Sequence, residues 1–161
     1  MIIRNARPED VDAIIRIEAI CFPAAEAAKA EDIRARYAAF PENFFVAEDE
    51  NGNIAGFING CATDKPELPD ELYHDTALHI PDGAYQTVFG LDVLPDYRRH
   101  GVGAQLIRHY VEMARQRGKK GVVLTCKDHM IHFYERVGFV CKGVSASEHG
   151  GAKWNDMLLE F

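Results

Sequence analysis

Arg98, Arg99, His100, Gly101, Val102, Gly103 and Ala104 form the stretch that most limits what this chain can become. They join an apolar run of strand type, residues 87–93, to a run of helical periodicity, residues 102–114. A helix beginning there presents backbone N–H groups with no intrahelical acceptor, together with the positive end of its dipole. Glycines at 101 and 103 keep side chains away from that end, and two arginines and a histidine add positive charge beside it. The junction therefore reads as an anion-binding loop in an α/β chain.

Spacing selects among the glycine-rich loops. No G-x-x-x-x-G-K-[ST] pattern occurs, and the glycine pair at 101 and 103 continues to Leu106 instead of a third glycine. A dinucleotide fingerprint is excluded on that ground and because no alternating strand–helix repeats follow. What remains is R-x-x-G-x-G, followed downstream by a second motif, Phe133-Tyr134-Glu135-Arg136-Val137-Gly138-Phe139.

On these two motifs the chain resembles the GNAT superfamily of acyl-CoA-dependent N-acyltransferases. Residues 128–139, with Cys21-Phe22-Pro23, Gly150-Gly151 and Trp154, resemble most the arylalkylamine (serotonin) N-acetyltransferase branch. The resemblance covers nearly the whole chain and implies a single GNAT domain over residues 1–161. Its fold would be a mixed, mostly antiparallel sheet of about seven strands, splayed between the fourth and fifth, with about four helices. Acetyl-CoA would be the cosubstrate. The backbone of Leu91, Asp92 and Val93 would hold the pantetheine arm as a strand would, and Arg98 to Ala104 would take the pyrophosphate. Tyr134 would be the general acid that protonates the departing thiolate, and Glu26 would sit at the acceptor pocket. The acceptor implied is a small primary amine, with a protein or peptide amino group as the alternative.

Transfer of an acetyl group from sulfur to nitrogen requires a neutral amine. An alkylamine with a pKa near ~10.4 costs roughly 4–5 kcal/mol to deprotonate at neutral pH, at about 1.36 kcal/mol per unit. The site must lower that pKa, supply a proton acceptor, or do both. The branch uses two histidines spaced H-x-H on the fourth strand; the matching positions here are Thr87 and Phe89, neither of which is a base. Glu26, Asp92, His129, His132 and a water chain stay open as replacements. Each side chain also has a purely structural role: Glu26 as an acid complementing a helix N-terminus, Asp92 as a bulge residue, the histidines as solvent-facing. Loss of the histidine relay also leaves room for a non-catalytic acyl-CoA-binding or sensing module.

Composition removes other classes. A net charge of −7 over 161 residues disfavours a nucleic-acid partner, which needs a basic face. No apolar span is long enough for a bilayer and the N-terminus reads as a strand, so the expectation is a soluble cytoplasmic protein without a membrane partner. Cys21, Cys61, Cys126 and Cys141 form no C-x-x-C, and no metal is expected. The apolar last strands allow a homodimer through an edge as well as a monomer.

Along the chain, residues 1–6 read as a strand. Val11, Ile14, Ile15, Ile17, Ile20 and Cys21 mark a first helix ended by Pro23, and residues 26–38 a second. Residues 44–47 and 54–61 form a hairpin around Glu50-Asn51-Gly52-Asn53. The polar segment 63–84 is a loop with room for one short helix. Val102, Leu106, Ile107, Tyr110 and Ala114 make the buried face of the helix that follows the glycine loop, with Gly118 as its cap. A buried strand at 122–126, a short helix at 130–137 and strands at 139–144 and 153–161 complete the order. Phe22, Phe40, Tyr85, Phe89 and Trp154 are candidates for lining an aryl pocket.

Overall fold

The computed structural model describes all 161 residues. In chain order it contains β1 (Ile2–Asn5), α1 (Val11–Cys21), α2 (Ala30–Ala39), β2 (Phe45–Glu48), β3 (Ile54–Asn59), β4 (Ala62–Thr63), α3 (Glu71–His74), β5 (Tyr85–Val88), β6 (Gly90–Val93), α4 (Val102–Gln116), β7 (Gly121–Cys126), α5 (Ile131–Val137), β8 (Val140–Val144) and β9 (Asn155–Glu160). The nine strands divide into two sheets, and the chain into two compact units, Met1–Asn59 with Gly90–Tyr110, and Gly60–Phe89 with Val111–Phe161.

The first unit carries a four-stranded antiparallel sheet in the order β1-β2-β3-β6. Helix α1 lies against β3 and β6. Its stripe is the predicted one at Ile14 and Ile17, which are 0% and 1% exposed, whereas Ile20 faces solvent. Phe40 and Phe44 stack at 6.1 Å, and Tyr37 meets Phe44 edge-on at 5.3 Å. Phe40 is thus part of the core of this unit.

Helix α2 begins at Ala30, four residues later than its composition suggests. The N–H groups of Glu26 and Ala27 both turn back to Pro23 O at 2.9 Å, and the N–H of Ala28 donates to the Glu18 carboxylate at 2.9 Å. With those donors engaged, residues 22–29 form a linker folded over the end of α1.

The β2–β3 hairpin turns at the predicted place, with Gly52 at φ +83. Its organiser is Asp49, whose Oδ1 accepts the N–H groups of Asn51 and Asn53, each at 2.9 Å. Arg4 of β1 donates to Asp10 at 2.8 Å and Glu48 at 2.6 Å. Burial alone raises the Asp10 carboxyl, but the hydrogen bonds from Arg4 and the Arg7 N–H outweigh it and hold the group below its ordinary value.

The second unit carries the order β4-β5-β7-β9-β8, antiparallel except for the β5–β7 pair. A parallel strand in the middle, covered on both faces, suits the nearly unbroken apolar run Val122-Val123-Leu124. Strand β8 is an edge on which Val140 and Val144 stand 56% and 66% exposed. The 63–84 segment is fastened rather than free. Tyr73 shares a hydrogen bond with Thr125 at 3.2 Å, its ring stacks on His149 at 5.4 Å, and Ser147 donates to Asp70. Lys119, past the end of α4, donates to Pro81 O and Gly83 O, both at 2.7 Å.

Helix α4 has its predicted face: Val102, Leu106, Ile107, Tyr110 and Ala114 are all buried. Gly118 at φ +75 closes it with an N–H bond to Arg115 O at 3.0 Å, as a left-handed cap should. The cysteines are all free thiols, and burial pushes Cys126 up to about 12. No helix is long and apolar enough to cross a membrane.

Candidate active site

The single run read at residues 87–93 is two strands that belong to different sheets. Val88 pairs with Leu124 of β7, whereas Gly90 pairs with Asn59 of β3. Strand β6 is therefore the last strand of its sheet, with β3 on one side only. Its opposite edge presents main-chain N–H and C=O groups to which an extended, amide-bearing arm can bond as a strand does.

The loop after β6 is anchored at both ends. Tyr97 donates its hydroxyl to Asp49 Oδ2 at 2.7 Å, which ties the segment to the β2–β3 turn and, with the hairpin N–H bonds, holds that carboxylate below its ordinary value. Arg98 folds back and donates Nε to Val93 O at 2.9 Å. Arg99 then takes φ +66, the one left-handed non-glycine residue, and Gly101 follows at φ +78. A side chain in that conformation costs about 1–3 kcal/mol, a strain found where the backbone is held for a purpose.

The first α4 bond outside the helix proper runs from Gln105 N–H to Gly101 O at 3.0 Å. The N–H groups of Gly101, Val102, Gly103 and Ala104 are consequently those without an intrahelical acceptor, at the positive end of a 15-residue helix. Arg98, Arg99 and His100 stand exposed around them. All of the predicted anion-loop residues thus lie together at one helix start, next to the edge strand that holds Leu91, Asp92 and Val93.

Other predicted residues lie elsewhere. Tyr134 is on α5 in the second unit, 6% exposed, its ring 5.0 Å from Phe133 and 5.6 Å from Phe139. Gly138 at φ +116 ends that helix and lets Phe139 N–H return to Tyr134 O at 3.1 Å. His132 has a side chain 90% exposed and bonded to Glu135, and His129 is also exposed, so both are solvent-facing. Thr87 is fully buried and bridges the backbone of Cys61, accepting its N–H at 3.0 Å and donating to its carbonyl at 3.1 Å. Phe89 lies 4.8 Å from the Tyr73 ring, and Trp154 donates Nε1 to His149 O at 2.8 Å. Glu26 is half-buried on the 22–29 linker.

The acetyltransferase (GNAT) family matches residues 11–139, a span that contains the edge strand, the anion loop and the tyrosine helix. The chain belongs to the GNAT acetyltransferase family. Among its curated relatives, the probable hydrolase YhcX of Bacillus subtilis (strain 168) is 32% identical over 133 residues, 77% of this chain and 25% of that protein. Serotonin N-acetyltransferase of Mesocricetus auratus is 30% identical over 109 residues, 67% of this chain and 51% of that protein. The chain thus spans between a quarter and about half the length of these relatives. Among solved structures, the GphF GNAT-like decarboxylase in complex with isobutyryl-CoA superposes with a TM-score of 0.85 over 99% of both chains, at 24% identity, a likeness of fold.

Glu18 escapes a reading by motif in this GNAT chain, and the side chain of Asp92 has surroundings that the motif does not disclose. Glu18 lies on the apolar stripe of α1, between Ile14 and Cys21, and is 7% exposed. A carboxylate at a core-facing helical position is the signal that could have found it. Asp92 was expected as a main-chain contact and an open candidate base; its side chain is 1% exposed and turned toward Glu18. Burial first, then the neighbouring Glu18 carboxylate, pushes the Asp92 carboxyl well above its ordinary value despite Arg98 nearby. Neither Asp92 oxygen has a hydrogen-bond partner, and Asn59, 3% exposed, has a partnerless Oδ1.

Proposed function

We propose that residues 1–161 form one acyl-CoA-dependent N-acyltransferase domain that moves an acetyl group from CoA to a small primary amine. The observation that carries this reading is the pairing of an open edge strand, β6, with the helix start at Gly101 to Ala104 on the next segment. The first suits an amide-bearing pantetheine arm and the second a pyrophosphate. The name of the GphF complex adds an acyl-CoA on a like fold, and that of the Mesocricetus auratus relative adds an amine acceptor.

In this reading Leu91, Asp92 and Val93 bond the arm through their main chain, and Arg98, Arg99 and His100 neutralise phosphate charge around the α4 N-terminus. The bound thioester is held for direct attack by nitrogen, which removes the entropy of a bimolecular encounter. Tyr134 gives a proton to the departing thiolate, and Glu26 belongs to the acceptor side. The arylalkylamine branch supplies the first class of amine to try.

Calorimetric titration with acetyl-CoA and with acetyl-pantetheine, which lacks the pyrophosphate, tests the assignment of the loop. Acetyl-CoA is expected to bind at least ~100-fold more tightly, about 2.7 kcal/mol, from charge-assisted bonds to the helix start. Equal affinity for the two would remove the phosphate role of residues 98–104.

A further inference from the structure

Three buried polar side chains of the first unit converge on the strand that would carry the thioester. Gly90 opens β6, and a Cβ placed on it would lie 3.0 Å from Asp92 Oδ1, 3.5 Å from Glu18 Oε1 and 3.8 Å from Asn59 Nδ2. They come from β6, α1 and β3, so no single segment explains the cluster. Only glycine leaves this space open.

A carboxylate with both oxygens buried and unbonded does not keep its charge; it takes up a proton or finds a cation. Arg98 is the only cationic side chain acting on Asp92, and it is exposed and bonded to Val93 O. Cys21, the other titratable neighbour on α1, directs its thiol to Val93 O at 3.4 Å. Asp92 is therefore the neutral member, with the Glu18 carboxylate as its neighbouring acceptor. The Glu18 Oε2 accepts the Ala28 N–H of the 22–29 linker at 2.9 Å. Asn59 adds a buried amide whose Nδ2 faces the same place and whose Oδ1 has no partner.

We propose that Glu18 is the proton acceptor for the attacking amine, held in position by the neutral carboxyl of Asp92 and by the amide of Asn59. This rests on the N-acyltransferase reading above, and it fills the role that Thr87 and Phe89 cannot. The ammonium gives one proton to Glu18, which passes it to solvent. The freed nitrogen pair forms the C–N bond as the C–S bond breaks; Tyr134 gives its proton to the thiolate, and the second proton shed by nitrogen restores the Tyr134 hydroxyl. Asp92 and Asn59 are positioning residues. They keep a carboxyl acceptor beside β6 where an apolar wall would exclude it.

The test compares Glu18→Gln and Asp92→Asn with the parent chain, using phenethylamine and its less basic β,β-difluoro analogue as acceptors. With phenethylamine, Glu18→Gln is expected to lower kcat/KM by about 100-fold or more, the range of a lost general base. With the difluoro analogue, which is already largely neutral, the loss shrinks to within about tenfold, because less of the barrier is deprotonation. Asp92→Asn serves the second comparison, of stability against pH. An equal loss with both amines would reduce Glu18 to a structural part and overturn the proposal.

A second arm needs no turnover. The raised Asp92 carboxyl binds a proton in the folded state that the unfolded chain releases above the ordinary carboxylate range. The parent therefore loses this stabilisation as pH rises from the ordinary carboxylate range up to the raised folded value, a contribution absent from Asp92→Asn. The denaturant midpoint of Asp92→Asn should exceed that of the parent by more at pH 7 than at pH 4. A difference independent of pH would overturn the proton held by Asp92. Failure of every amine to react, with this pH signature intact, would instead count against the N-acyltransferase reading and with it the role of Glu18.

Discussion

Replacing Tyr134 with phenylalanine lowers turnover on a primary amine by about 100-fold or more, the size of effect that loss of a positioned general acid produces. A thiol with a pKa near ~8.5 leaves poorly as a bare thiolate at a buried site, so its proton has to arrive as the C–S bond breaks. Acetyl-CoA affinity stays within about twofold, because the phosphates and the pantetheine arm are assigned to other residues; such a kcat effect without a binding effect marks an interaction made in the transition state. The fold is kept, since the ring contacts with Phe133 and Phe139 survive the change. Steady-state thiol release together with calorimetry reads both quantities. Turnover within about twofold of the parent would leave Tyr134 as a packed aromatic of α5.

The second large effect is on stability and on cosubstrate binding together. At Gly56 an added Cβ would lie 2.4 Å from Asp92 O and 3.2 Å from Val93 Cα, both main-chain atoms of β6. No rotamer relieves such a contact, so Gly56→Ala must push β3 and β6 apart at the pair Gly56↔Val93. A cost of about 3 kcal/mol, the upper part of the overpacking range, is expected in denaturant unfolding. Acetyl-CoA binding weakens as well, because the displaced strand is the one assigned to the pantetheine arm. Gly52→Ala, at a turn with nothing within 4 Å of its Cβ, is the control. Its strain of roughly 1–2 kcal/mol comes from the left-handed backbone alone, and acetyl-CoA affinity should not change.

Much of this architecture is legible in the sequence where local chemistry dictates it. The anion loop announces itself because glycine, arginine and a helix start coincide at residues 98–104. The β2–β3 turn follows from Asn51-Gly52, and the buried face of α4 from its period. Partner choice is what local pattern leaves out. Residues 87–93 read as one strand because alternation carries no record of which neighbour each half meets; the change of sheet occurs at Phe89-Gly90. Helix α2 starts later than its composition suggests because residues 23–27 close a separate turn on Pro23 O and the Glu18 carboxylate, ten residues away, captures the Ala28 N–H.

The candidate site divides the same way. Residues that act through the main chain or through exposed charge are found by motif, since their neighbours in sequence are also their neighbours in space. Glu18, Asn59 and Asp92 come from three elements, and only the packing of α1 on β3 and β6 brings them together. Taken alone, Glu18 and Asn59 read as ordinary polar residues in apolar runs, and Asp92 as a main-chain contact and one of several open candidate bases. Asp49 and Tyr97 are likewise 48 positions apart and become a pair only through the hairpin.

The most direct test of the central claim is release of free CoA thiol from acetyl-CoA in the presence of arylalkylamines, polyamines, amino acids and N-terminal peptides. The N-acyltransferase reading predicts amine-dependent thiol release on one of these classes, with the acetylated amine formed in equal amount. Tight acetyl-CoA binding without thiol release on any of them would contradict it and leave an acyl-CoA-binding module.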